Sequence, residues 1–305
     1  MTSFSHIPVL LNEVLDEFAD YQGTIIDATL GLGGHSFALL EQNKNINIIG
    51  IDKDIEAIAL AKERLNIFGA RFKALHSSFS NGIKDILSKN DNIIGILADI
   101  GISSYQVDNP NRGFSFYSDS LDMRMDTNSH LTAKMVINSY SKDELHRIFI
   151  EYGEIKNPTF ITKIILDYRK NHTINTAKEL SQLIESHSKI NSKIHPATLV
   201  FQSLRIEVND ELGELKRFLN NIENLKKAKV AIISFHSLED RIVKEKFKTW
   251  AKSCICSNDT IKCICGNNHK KGDILYKKPI IPSQNEIRAN KRSRSAKMRC
   301  FRFYE

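Results

Sequence analysis

The sequence predicts an α/β protein, a doubly wound parallel sheet interrupted by a helical insert. Three observations predict it. Apolar strand-like runs alternate with helical patterns through the first hundred residues. Three of those runs end in an acid, at Asp27, Asp52 and Asp99. Polar groups therefore collect at the carboxyl edge, where open α/β sheets bind ligands. The next clear strand, KVAIISFHS at 229–237, comes some 130 residues after Asp99, whereas a simple crossover needs only one helix.

The elements follow in order. TIIDATLGLGGHSFALL, at 24–40, reads as a short strand, a glycine-rich turn and a helix. Glycines at 31, 33 and 34 permit a sharp turn and close approach of a ligand. The free N–H groups of the helix that follows point at that ligand. IIGIDKD, at 48–54, is a second strand, and its Asp52 lies at the distance expected of an acid that accepts ribose hydroxyls. DIEAIALAKERLNIF, at 54–68, is a helix with Ile55, Ile58, Ala59 and Leu65 on one face. Further strands are expected near 71–75 and 93–98, the last running through Asp99 into GISSYQ. The insert spans residues 109–200, between a sheet domain of residues 1–108 and 201–305. It opens with a loop lacking helical period (108–126), and helical patterns follow at 131–139, 141–152, 158–170, 176–187 and 196–219. RSAKMRCFRFY, at 294–304, alternates as a final edge strand or hairpin.

Composition narrows the partners. The chain is 41% hydrophobic and 26% charged, ordinary for a globular protein. It has no apolar run near the roughly 20 residues that span a bilayer, so no membrane partner is expected. The N-terminus has acids inside its apolar stretch and no basic leader, and a cytoplasmic location is expected. The net charge of +7 is uneven: residues 241–305 hold 17 Lys and Arg against 5 Asp and Glu. That surplus at the end of the chain points to a polyanion such as nucleic acid.

The glycine turn discriminates between cofactors. A dinucleotide fingerprint needs a third glycine where Ser36 stands. The alternating series Asp27, Thr29, Gly31, Gly33 instead matches the S-adenosylmethionine (SAM) loop of class I methyltransferases, except that Thr29 replaces a glycine. A nicotinamide-dependent oxidoreductase and a non-enzymatic RNA-binding module are the competing readings. The first lacks its glycine, and the second leaves the crevice without a purpose.

Longer motifs add a resemblance. HIPVLLNEVL, DATLGLGGHS, GIDKD, ADIGISSYQVD, NRGFSF, LDMRMD, HPATLVFQSLRIEVNDEL, ISFHSLEDRIVK and KPIIPSQNEIRANKRSRSAKMR occur in that order, from about residue 6 to 299. Together they resemble the ribosomal small-subunit methyltransferase H (RsmH, or MraW) family. The resemblance implies a class I methyltransferase domain broken by a helical domain. It implies methyl transfer from SAM to the exocyclic N4 of a cytidine in the decoding region of 16S rRNA, in the small ribosomal subunit. It also implies SAM contacts at Gly33, Gly34, His35, Asp52, Phe79, Asp99 and Gln106, with Phe79 against the adenine. Tyr105 stands where the family more usually has proline.

Several residues carry two readings. Asp99, Ser103 and Ser104 are the candidates for orienting and activating the cytosine amine, while the serines read equally as turn caps. Tyr105, Phe114 and Phe116 are candidates to stack the splayed base, although Phe114 and Phe116 could instead anchor the loop. Arg288, Arg292 and Arg294 belong to a basic run suited to phosphate. Arg124 could pair with Asp122 or Asp126. His236 and Ser237 look like a catalytic pair, but Ser237 capping the next helix is simpler. Cys254, Cys256, Cys263 and Cys265 form CxC-x6-CxC. The usual zinc spacing is absent, so the expectation is an ordinary reduced loop and no metal, with four-thiolate zinc the alternative. The insert is either the rRNA-reading surface or a contact of a homodimer.

Overall fold

The computed structural model describes residues 7–89, 92–188, 195–257 and 262–305. Seven strands form one sheet: β1 (Gly23–Asp27), β2 (Ile46–Asp52), β3 (Phe72–His76), β4 (Ile93–Asp99), β5 (Lys229–Ser234), β6 (Gly272–Ile274) and β7 (Lys297–Phe303). Their order is β3-β2-β1-β4-β5-β7-β6. The first five in this order pair in parallel, and β7 runs antiparallel between β5 and β6. Of the two alternatives for the final strand, an edge or a hairpin, the edge is not what forms: β7 pairs antiparallel with β6, the strand before it in the chain. The edge on this side is β6, whose three residues are too short to show a period of two.

The strands are apolar because both faces are covered. Alternate residues feed opposite cores. Ile26, Ile96, Val230 and Ile232 pack with Ile83, Phe218, Phe247 and Trp250 on one face. Ile25, Leu97, Ala231 and Ile233 pack with Phe18, Leu39, Leu40 and Leu65 on the other. The chain builds outward from β1 to β3, then resumes at β4 on the opposite side of β1. That reversal puts a switch-point crevice at the carboxyl ends of β1 and β4.

Two compact units divide the chain, residues 1–101 with 213–305 and residues 102–212. These bounds are wider than the 109–200 expected for the insert. Ile102 and Val107 pack with the second unit's own core, and so do Val200, Phe201, Leu204 and Val208 of the helix Thr198–Asn209. The helical pattern expected over 196–219 breaks at Asp210, which takes a left-handed φ of 48°. A second helix, Glu211–Asn221, follows. Thr132, Ser141, Asn157 and Thr176 each cap a helix of this unit with a side-chain oxygen.

The loop of 108–126 is ordered by arginine. Buried Arg112 donates to the carbonyls of Arg124 and Met125 at 3.1 and 2.8 Å. Arg124 holds Asp122 through two bonds of 2.8 and 2.7 Å, and that guanidinium keeps the Asp122 carboxyl below its usual range against the opposing effect of burial.

Candidate active site

Three carboxyls meet at the switch point. Asp27 ends β1 and is buried; its Oδ2 accepts from the Ser36 hydroxyl at 2.6 Å. Asp52 ends β2, and its two oxygens accept from the backbone N–H of Gly31 at 2.7 Å and of Asp54 at 2.9 Å. Asp99 ends β4, and its backbone N–H donates to the Thr29 hydroxyl at 2.7 Å. Thr29, marked in the sequence only as a departure from glycine, thus ties the first loop to β4. Residues two and four positions past Asp27 therefore hold the other two acids in place.

All three carboxyls titrate high. Burial pushes Asp27 up to about 6, with the Asp52 charge adding to it. Burial raises Asp52 too, against the hydrogen bonds from Asp54 and Gly31. Burial, then the charges of Asp27 and Glu239, pushes Asp99 up to about 8. Its Oδ1 is sequestered without a hydrogen bond, while Oδ2 lies 3.8 Å from Nδ1 of His35. His35 is itself buried, and its Nε2 donates to the Val9 carbonyl at 2.9 Å. This cluster is rich in acid and poor in compensating charge, which favours a cationic ligand.

The glycines divide their work. A Cβ on Gly33 would meet Leu65 Cδ1 at 2.7 Å, and one on Gly34 would meet Pro8 Cγ at 2.6 Å. At both positions a side chain would therefore press on neighbouring protein, a packing constraint that the sequence, read for ligand space, did not reveal. Gly31, at φ +50°, is the one whose Cβ would enter open space, with nothing within 4 Å. The helix Gly34–Gln42 starts from Gly33 with no side-chain cap. Phe79 begins the helix Phe79–Leu87, half-buried and edge-on to Phe218 at 5.2 Å.

Other predicted residues are placed differently. Ser103 and Gln106 bond one another in a capping box at 3.2 Å in each direction, at the start of the short helix Ser104–Asp108. Ser103 is thereby a cap, and Gln106 is buried. Phe114 lies in the core of the second unit; Phe116 stacks on His195 at 4.3 Å and meets Phe201 edge-on at 4.7 Å. These contacts favour the anchoring reading of the two rings, most clearly for buried Phe114, while Phe116 is half-buried. Tyr105 is half-buried, and Arg288, Arg292 and Arg294 lie at least partly open to solvent. The neighbouring Arg299 is spent on Asp240, at 2.6 and 3.1 Å.

His236, not Ser237, caps the helix Ser237–Trp250, with Glu239 closing the capping box. Glu239 is buried and accepts from the Phe235 N–H at 2.8 Å. Its part in the field at Asp99 went unseen in the sequence. The signal was there, as an acid three positions into a helix that leaves a strand end.

Comparison with known proteins decides the family. The family model described as the MraW methylase family matches residues 3–304. The chain belongs to the MraW methylase family. It is 52% identical over 302 residues to the ribosomal RNA small subunit methyltransferase H of a Nitratiruptor species, covering 98% of this chain and 99% of that protein. The protein of the same name from Campylobacter curvus is 55% identical over 300 residues, 97% of each chain. Among solved structures, an rRNA methylase of Streptococcus thermophilus is similar at a TM-score of 0.38 and 10% identity, over 96% of this chain and 93% of that one. As a member of the family the chain is a methyltransferase with SAM as its cofactor. The site fits that cofactor. Asp52 keeps acceptor capacity beyond its two N–H donors, Gly31 leaves room, and the clustered acids suit a sulfonium and an ammonium.

Proposed function

We propose that this chain methylates the exocyclic N4 of a cytidine in the decoding region of 16S rRNA, within the small ribosomal subunit. The single observation that carries the reading is the set of three carboxyls gathered at the switch point, each raised by desolvation. A pyrophosphate would add negative charge to three crowded acids, whereas SAM brings positive charge. That electrostatic difference disfavours a nicotinamide cofactor. The names of the relatives supply the ribosomal substrate.

Bound SAM supplies a methyl group on a sulfonium carbon. In this reading Asp52 accepts the ribose hydroxyls, the turn from Gly33 to His35 faces the amino-acid portion, and Phe79 flanks the adenine. Asp27 and Asp99 offset the cofactor's charges. The cytosine amine is a poor nucleophile because its lone pair is delocalised into the ring. An acceptor on its N–H restores tetrahedral character, and Asp99 is that acceptor. Ser103 acts through the helix it caps, while Ser104, Tyr105 and Gln106 are assigned to orienting the base and closing the cofactor site. The solvent-facing Arg288, Arg292 and Arg294 are assigned to phosphates.

The test is methyl transfer from radiolabelled SAM to small subunits lacking their modifications, followed by nucleoside analysis. N4-methylcytidine is expected, with the Asp99→Ala chain slower by about 100-fold or more. Label in another nucleoside, or none despite bound SAM, would remove the assignment.

A further inference from the structure

The segment 251–271 joins the helix Ser237–Trp250 to β6, and it contains no regular secondary structure among its described residues. Its base is closed by two backbone bonds, Lys271 N–H to the Trp250 carbonyl at 2.8 Å and His269 N–H to the Ser253 carbonyl at 3.0 Å. Above that base the described residues of the loop bury little apolar surface. Ile255 is 59% exposed and Ile264 85%. A connection of this length needs some other source of order.

Four sulfurs supply a candidate. Cys254, Cys256, Cys263 and Cys265 are all free, and their sulfurs lie within 4.8 Å of one another. Cys254 to Cys263 is 3.6 Å, Cys263 to Cys265 is 3.5 Å, and Cys254 to Cys265 is 3.7 Å. A zinc ion at about 2.3 Å from each of four thiolates requires sulfurs separated by about 3.8 Å, the edge of the tetrahedron. The observed spacings match that edge within a few tenths of an ångström.

The backbone is arranged to the same end. The Ile255 N–H donates to Cys265 Sγ at 3.4 Å, and the Ile264 N–H donates to Cys256 Sγ at 3.4 Å. Each Cys-Ile-Cys arm thus offers its central amide to a sulfur of the other arm, a reciprocal pattern that orients and stabilises thiolate ligands. After the second arm Gly266 and Asn267 take left-handed φ values of 82° and 56° and turn the chain away. His269 directs its Nε2 to the Cys265 carbonyl at 2.7 Å, so the imidazole supports the arm and the ligand set is four sulfurs.

We propose that Cys254, Cys256, Cys263 and Cys265 form a structural zinc site that folds this loop. The short C-x-C spacing argued against zinc in the sequence, but two such arms bonded to each other through their central amides bring all four sulfurs within 4.8 Å of one another. The fifth cysteine, Cys300, is buried in β7 and takes no part. Binding releases the four thiol protons to solvent and leaves a Zn(S–Cys)4 centre of charge 2−, with no redox change. Four protein ligands close the site, so it is structural and stands apart from methyl transfer.

The test uses the full chain, purified under reducing conditions without a polyhistidine tag. Elemental analysis is expected to find about one zinc per chain, lost in the Cys254→Ser/Cys263→Ser double variant, which keeps SAM affinity within twofold. Co2+ added to the metal-stripped parent is expected to give thiolate charge-transfer absorption and the visible bands of a tetrahedral ion, which needs no variant to fold. Less than about one-tenth of a zinc per chain together with no cobalt–thiolate spectrum would overturn the proposal. Stoichiometric iron in place of zinc would overturn the assignment of the metal.

Discussion

Asp99 shows how one residue couples charge, burial and ligand. Its carboxyl titrates near 8 and that of Asp27 near 6, both chiefly from burial. Both acids therefore gain negative charge as pH rises from about 5.5 to about 7.5, and a cationic cofactor should bind more tightly across that range. Isothermal titration with SAM is expected to show affinity rising several-fold, with a flatter profile for Asp99→Asn. Affinity that stays level or falls would refute the electrostatic account. The sign for stability is opposite. A carboxyl raised in the fold costs nothing below about pH 4, and its penalty grows until about pH 8. Asp99→Asn should accordingly unfold at higher urea than the parent at about pH 8, by on the order of 1–2 kcal/mol after allowance for a side chain 23% exposed. The three acids were legible because each terminates an apolar run. The fates of Phe114 and Phe116 were not, since an aromatic in a loop has the same sequence signature whether it faces RNA or a neighbouring helix.

Among elements, the glycine turn separates stability from binding. Gly33 combines a φ of +72° with a would-be Cβ contact of 2.7 Å to Leu65, whereas Gly31 has a φ of +50° and open space. Gly33→Ala is expected to cost about 2–3 kcal/mol in denaturant unfolding. Gly31→Ala should cost about 1 kcal/mol yet weaken SAM binding tenfold or more, because its methyl enters the crevice and its N–H positions Asp52. Equal effects of the two changes on binding would contradict this division. Strands β1, β2, β4 and β5 were readable as apolar runs, which burial on both faces imposes. The three-residue β6 and the break at Asp210 were not. One is too short for a pattern, and the other is a backbone conformation that an ordinary helical sequence conceals.

For the molecule as a whole, one buried ion pair joins distant parts of the sheet unit. Lys229, at the start of β5, lies 2.8 Å from Glu17 Oε2 and donates to the Glu17 carbonyl at 2.6 Å. Tyr276 also donates its hydroxyl to Glu17. Both charged side chains are 7% exposed or less. Lys229→Met should destabilise the chain by about 3–5 kcal/mol by stranding Glu17, and adding Glu17→Gln should recover most of the loss. A cost below about 1 kcal/mol in urea unfolding would show the pair to be dispensable. By itself the sequence determined the alternation of strands and helices, the acids at the strand ends, the interruption after β4 and the membership that the long motifs carry. These are local or periodic properties, fixed by which residues must be buried and which must turn. Only the tertiary structure decided that Thr29 fastens β4, that Glu239 burdens Asp99, that Phe114 and Phe116 are occupied, and that two C-x-C arms meet. Each of these is a distance between residues apart in the chain, and spacing along a sequence does not encode distance in space.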